Sequence, residues 1–274
     1  MTEKNRNLLL RVISAAVLLP VVIILLVKGG WWSSVLFGTA AAICVGEYYL
    51  IAFKQLSPAC WACVAAAFAM PLYPLRQPEV GGALALWTTA AVFLLAWSHQ
   101  LLLGHLESAV ATVAQLITGF LFGALGLTAL SWLRHGPDGL PWVFCALIAT
   151  WGNDTTAYFV GRFFGKRKLY PSVSPNKTWE GFAGGMAGSI AGMFVAKATF
   201  FSALTAADCL IVGVFCGVIG PIGDLSESML KRAYQVKDSS RIIPGHGGLL
   251  DRIDALIFNA PAVLFYAQFL RAIL

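Results

Sequence analysis

Residues 223–254 read GDLSESMLKRAYQVKDSSRIIPGHGGLLDRID. Five carboxylates (Asp224, Glu227, Asp238, Asp251, Asp254) stand among five cations (Lys231, Arg232, Lys237, Arg241, Arg252). A run that only rested on anionic lipid would be cationic overall. Carboxylates mixed with Lys, Arg and a glycine turn instead suit a divalent cation and the phosphates it carries. If the stretch after Gly223 is helical, Asp224, Glu227, Ser228 and Lys231 share one face at i, i+3, i+4 and i+7. Asp251 and Asp254 are three apart at the start of the last apolar helix, where a helix N-terminus favours anions. Between the two helices, Pro-Gly-His-Gly-Gly at 244–248 offers backbone N–H groups that can approach a ligand closely.

These types assign expected roles. Asp224, Asp251 and Asp254 are candidate metal ligands. Asp224, Asp251, Lys231 and His246 are candidate catalytic groups, His246 because it sits between glycines in a turn. Arg232 suits bidentate contact with phosphate, and Lys237, Arg252, Gly247 and Gly248 are further candidate substrate contacts. Glu227 reads equally as an ion-pair partner. No cysteine lies nearby, so a Cys/His zinc site is excluded.

A second polar region begins inside an apolar segment, at Trp-Gly-Asn-Asp-Thr-Thr, 151–156. An intramembrane carboxylate such as Asp154 is a functional candidate by default, or the partner of a cation such as Arg162 or Lys177. Downstream, Ser174, Asn176, Lys177 and Thr178 gather hydrogen-bonding groups around one ammonium, just before a helix that can hold a phosphate. Thr178 or Ser174 can equally cap that helix.

The pattern Ser228-x-Leu-Lys-Arg, Lys237-Asp238, then Pro-Gly-His-Gly-Gly-Leu-x-Asp-Arg-x-Asp ending at Asp254 resembles the signature of CDP-diacylglycerol synthases, also called phosphatidate cytidylyltransferases. The Ser-Pro-Asn-Lys-Thr segment at 174–178 is similar to that family too. The resemblance implies transfer of CMP from CTP to phosphatidate, releasing pyrophosphate. It also implies a divalent cation (Mg²⁺ or Mn²⁺), a homodimer, and a second, monovalent cation such as K⁺. Residue types and spacing alone reach only a metal-and-phosphate site at a membrane surface.

Positioning such residues falls to an apolar frame. The chain has 274 residues, 58% hydrophobic and 12% charged, with mean hydropathy +0.76. Soluble domains carry about 25% charged residues, so the expected class is an all-α polytopic membrane protein. Apolar runs at 8–27, 31–53, 59–73, 80–97, 109–133, 140–164, 181–201, 206–223 and 253–273 predict nine spans. The first is longer than a signal h-region and no small-residue cleavage site follows it, so it reads as retained. With the N-terminus in the cytoplasm, fourteen cations fall on the cytoplasmic side and four outside, giving a cytoplasmic N-terminus and an outer C-terminus. The site then faces the cytoplasm from the cell (inner) membrane. The net charge of +6 follows this orientation and does not point to nucleic acid. Residues 1–150 read as scaffold and 151–274 as the catalytic region, with loops at 161–180 and 224–253. Cys60 and Cys63 match C-x-x-C but read as packing residues. Gly184, Gly185, Gly188 and Gly192 read as a close-packing stripe, with a dimer contact as one use. Glu47 is buried in an apolar run and has no assigned role. An ion-coupled transporter would show related halves with paired broken helices, and a CDP-alcohol phosphotransferase a D-x-x-D-G array; neither is present.

Overall fold

The computed structural model describes residues 3–76, 78–245, 247–271 and 273, without the side chains of residues 3–11, 78 and 79. Among them run nine α-helices and one hairpin: α1 (Glu3–Lys28), α2 (Gly30–Phe53), α3 (Pro58–Ala69), α4 (Pro78–Leu103), α5 (Ala109–His135), α6 (Gly139–Phe164), β1 (Lys168–Tyr170), β2 (Ser174–Thr178), α7 (Trp179–Thr199), α8 (Ala206–Ala233) and α9 (Leu250–Phe265). Among the described residues, six stretches are long and apolar enough to cross a membrane: Gly30–Phe53, Pro58–Leu75, Val80–Leu103, Leu106–His135, Ala206–Ala233 and Leu250–Leu270. The helices α6 and α7 are not among them. The first carries Asn153, Asp154 and three threonines, and the second is rich in glycine. Val12–Lys28 is apolar but shorter.

The chain forms two compact units, Met1–His135 with Val236–Arg252, and Gly136–Gln235 with Ile253–Leu274. In the first, α2 packs on α5 because Gly119 and Gly123 leave room for Tyr48, Tyr49 and Val45. Tyr49 donates its hydroxyl proton to the Leu116 carbonyl at 2.6 Å, so this large buried ring keeps its polar end satisfied. Arg134 on α5 donates to the Leu26 and Val27 carbonyls at the end of α1, a cationic C-cap.

In the second unit the glycine stripe of α7 finds its partner within the same chain. Gly184 faces Val160, Gly188 faces Thr156 and the Gly152 carbonyl, and Gly192 faces Ile148. The stripe is therefore the α6–α7 contact, the close helix packing expected of it. Across its other face, Gly213 and Gly217 of α8 approach Ile190 and Met186 of α7. All six cysteines are buried and none is joined in a disulfide, as packing residues should be.

Two features extend beyond the expected pattern. Residues 224–233 continue α8 without a break, so the expected helical face is real and directly prolongs an apolar helix. Between α6 and α7 the chain makes an antiparallel hairpin, pairing Lys168 with Thr178 and Tyr170 with Ser174. Glu180 fastens it by accepting from the Lys166 amide at 3.0 Å and the Arg167 amide at 3.2 Å. Residue 180 precedes the apolar run, and these amides, that of Lys166 foremost, hold its carboxyl below the usual glutamate range.

Candidate functional site

Site chemistry in the second unit starts from a helix flaw. Pro221 sits inside α8, and proline cannot donate to the carbonyl four residues back. That carbonyl, on Gly217, accepts instead from the buried Asn153 amide of α6 at 3.4 Å. Asn153 therefore fixes α6 against α8 beside Asp154 and close to Asp224.

A cavity of about 610 Å³ opens here, lined in part by Asp154, Tyr158, Arg162, Lys168, Asn176, Lys177, Thr178 and Asp224. It falls within the range of about 300–1,000 Å³ usual for small-molecule sites. Small residues make the space. A side chain at Gly165 would strike Thr178 and the Gly161 carbonyl, and one at Gly181 would crowd the Ala157 carbonyl.

The hairpin delivers the cation. Lys177 on β2 places Nζ 2.7 Å from Asp224 Oδ2. That nitrogen is buried yet makes no well-directed hydrogen bond, so the contact is an ion pair whose N–H groups can still turn toward another oxygen. Asp224 Oδ1 accepts from Ser228 at 3.3 Å, one turn along the predicted face. Asp154 interacts electrostatically with both Asp224 and Lys177. Asp254, half-buried on α9, interacts with Asp224, Asp154 and Lys177 and accepts the Ala255 amide at 2.8 Å. Three carboxylates thus share one ammonium, while Arg162 and Lys168 add cations on the cavity wall. Arg162 donates to Tyr158 at 2.7 Å.

Thr178 serves as cap and wall together: its Oγ1 accepts the Gly181 amide at 3.1 Å and the residue also lines the cavity. Ser174 belongs to the hairpin and does not line the cavity. Lys231 pairs with buried Glu227 at 2.5 Å, the ion pair that the i, i+4 spacing allowed. Arg232, exposed, donates to the Val173 carbonyl at 3.4 Å.

The glycine turn belongs to the first unit. Ile243 and Gly247 exchange backbone hydrogen bonds at 2.9 and 3.2 Å, and Gly245 and Gly247 adopt φ of 76° and 87°, which only glycine takes readily. Asp251 Oδ2 accepts from the Ser239 amide (2.8 Å), the Ser239 hydroxyl (2.9 Å) and the Gly248 amide (3.0 Å). The Leu249 and Leu250 amides go to Glu47. The expectation of open N–H groups at this turn is thereby corrected: those of Gly247 and Gly248 are used within it, and the anion at the start of α9 is supplied by the chain's own carboxylates. Lys237 and Arg252 are exposed. His246 lies outside the described residues.

Among the described residues no group of three or more His, Cys, Asp or Glu forms a ready-made metal cage. Mg²⁺ does not need one, since it keeps waters and is bound by one or two carboxylates plus substrate phosphates. Asp224 and Asp254, which interact electrostatically with each other and with Asp154, are residues of the type that requirement calls for.

Sequence comparison adds an independent line. The profile of the Cytidylyltransferase family matches residues 9–270. The chain belongs to the cytidylyltransferase family. A phosphatidate cytidylyltransferase of Bacillus subtilis is 46% identical over 132 residues, covering 46% of this chain and 47% of the relative. One from Haemophilus influenzae is 43% identical over 155 residues, 55% of this chain and 52% of the relative. An uncharacterized protein of Escherichia coli, YnbB, is 35% identical over 190 residues, 67% and 63% of the two chains. The chain thus spans about half the length of the curated relatives it matches, and under two thirds at most.

Arg162, Tyr158, Lys168 and Asn153 were not among the expected site residues. A helical reading carries the signal for two of them, because Tyr158 and Arg162 follow Asp154 at successive i+4 steps.

Proposed function

We propose that this protein transfers the cytidylyl group of CTP to phosphatidate, giving CDP-diacylglycerol and pyrophosphate. The observation that carries the reading is the cavity wall, where Asp154 and Asp224 stand with Lys177, Arg162 and Lys168. A purely cationic wall would suit a bare anion; two carboxylates beside three cations suit a polyphosphate travelling with a divalent metal. Family membership and the names of the relatives support the same reaction.

The lipid phosphate is largely a dianion near neutral pH, its second pKa being about 6. It attacks the α-phosphorus of CTP, forming one P–O bond as the bond to the departing pyrophosphate breaks. No strong general base is needed. The obstacle is repulsion between two polyanions, and Lys177, Arg162 and Lys168 act against it by position and charge. Asn176 and Thr178 supply neutral hydrogen bonds to the same phosphates, and Arg232 is a further proposed phosphate contact by residue type. Asp224 and Asp254 would hold Mg²⁺ or Mn²⁺, which when bound supplies further charge neutralisation. Asp251 as a ligand, and Lys231, His246, Lys237 and Arg252 as substrate contacts, are proposed on residue type alone.

The wider reading has nine spans, a cytoplasmic N-terminus and an outer C-terminus, in the cell (inner) membrane with the site facing the cytoplasm. A homodimer and a monovalent cation such as K⁺ complete it. The positive-inside count supports the orientation.

The test is pyrophosphate release by the purified protein in detergent with CTP, phosphatidate and Mg²⁺, beside Asp224→Asn, Asp254→Asn and Asp251→Asn. Release should require all three components and fall at least about a hundredfold in Asp224→Asn, about 2.7 kcal/mol of barrier. A folded wild-type protein that is inactive across nucleotides and divalent metals overturns the reading.

A further inference from the structure

Glu47 is a charge in an unexpected place. It lies toward the end of α2, in an apolar stretch long enough to cross a membrane, and is 1% exposed. A buried carboxylate is costly unless hydrogen bonds replace its water. Four donors do so, and all come from the segment carrying the glycine turn. The Leu250 amide donates at 2.7 Å, the Leu249 amide at 3.0 Å, the Ser239 hydroxyl at 3.1 Å and the Ser240 hydroxyl at 2.5 Å. Leu250 is the first residue of α9 and Leu249 precedes it, so the carboxylate also meets the positive end of that helix. Gly248 is fitted to the same point, since a Cβ there would strike Ser239 Oγ and press on both Glu47 oxygens.

The arrangement links Glu47 to Asp251. Ser239 Oγ stands within hydrogen-bond distance of both carboxylates. The amides on either side of the Gly248–Leu249 bond are divided between them, Gly248 to Asp251 and Leu249 to Glu47. We propose that Glu47 is a positioning residue: it clamps Ser239, Ser240 and the start of α9 to α2, and so fixes the orientation of Asp251 and the glycine turn. The consequence for catalysis rests on the cytidylyl-transfer reading; the clamp itself does not.

Replacement by Gln tests the charge at nearly constant size. Glutamine offers one acceptor oxygen where the carboxylate offers two, and its NH₂ must face donors. In the full-length protein in detergent, Glu47→Gln should speed hydrogen exchange at the Leu249 and Leu250 amides at least about tenfold while α7 keeps its wild-type exchange. The Mg²⁺ concentration for half-maximal pyrophosphate release should rise, and kcat should fall about tenfold. Glu47→Asp, which keeps the charge, should recover part of both, and Ser240→Ala, which removes one donor, should give a smaller change of the same kind. Unchanged exchange at 239–250 in Glu47→Gln overturns the clamp. So does faster exchange spread evenly over α5, α7 and the turn, or recovery by Glu47→Leu. A loosened turn with wild-type Mg²⁺ dependence and kcat overturns the positioning role. Should the wild-type protein form no CDP-diacylglycerol while the turn still loosens selectively in Glu47→Gln, the clamp stands and the cytidylyl-transfer reading falls.

Discussion

The carboxylates of the two units are treated in opposite ways. In the first, Glu47 and Asp251 are covered by donors: three are Glu47's own, two are Asp251's own on one oxygen, and the Ser239 hydroxyl stands within reach of both with one proton to give. In the second, Asp154 and Asp224 line a cavity and interact electrostatically with each other and with Asp254, and Lys177 pairs with Asp224. A saturated carboxylate is a structural tie, since its loss strands buried donors. Carboxylates short of donors and close together hold electrostatic strain that a cation relieves. The same residue type thus does two jobs, set by how many N–H and O–H groups converge on it.

The contrast is sharpest at Asp224. Asp224→Asn should remove at least about a hundredfold of activity while leaving the thermal unfolding midpoint in detergent unchanged or higher, because one of three repelling charges is gone. Unfolding of this variant below the wild-type midpoint would break the contrast and make Asp224 a structural tie like Glu47. Next in size is Lys177→Met. It should cost about thirtyfold in pyrophosphate release, about 2 kcal/mol, and the loss should not add to that of Asp224→Asn, because the two share one ion pair. Additive losses in the double variant would show that each acts on a separate oxygen of the substrate.

The smallest effect concerns Glu180, a saturated carboxylate within the second unit. Its carboxyl is held below the usual range by the Lys166 amide first. A depressed carboxyl stabilises the fold above its unfolded value, about pH 4.3, and that contribution is lost as pH falls through the lower folded value. Exchange of the 166–178 amides should therefore quicken at acid pH, and Glu180→Gln should abolish that dependence. An unchanged pH profile would mean that strand pairing alone holds the hairpin.

Much of this could be read from the chain in advance, and the exceptions share a cause. Each expected run is met by a helix, though α4 and α8 continue well past theirs, because apolar length and glycine or proline punctuation are local signals. The face of Asp224, Glu227, Ser228 and Lys231 was legible for the same reason, as its spacing lies within one helix. Glu47 was visible only as a buried charge. Its donors lie 192 to 203 positions away, and no local pattern encodes a contact at that range. The hairpin was missed because strands of three and five residues are too short for alternation to register, and Pro175 and Asn176 argue against a strand. The glycine stripe was seen, but spacing tells only that something packs closely there, not that the partner is α6.

The length of α8 bears on where the two substrates meet. At about 1.5 Å per residue, Asp224 comes about 27 Å along the axis from Ala206. A bilayer's hydrocarbon core is about 30 Å thick. Were α8 to cross the membrane upright with Ala206 at the far edge of that core, its acidic residue would stop at the depth where phospholipid headgroups begin. Phosphatidate would then present its phosphate without being lifted from the leaflet. The encounter becomes a search in two dimensions for the lipid and three for the nucleotide, with the plane of the membrane doing the alignment.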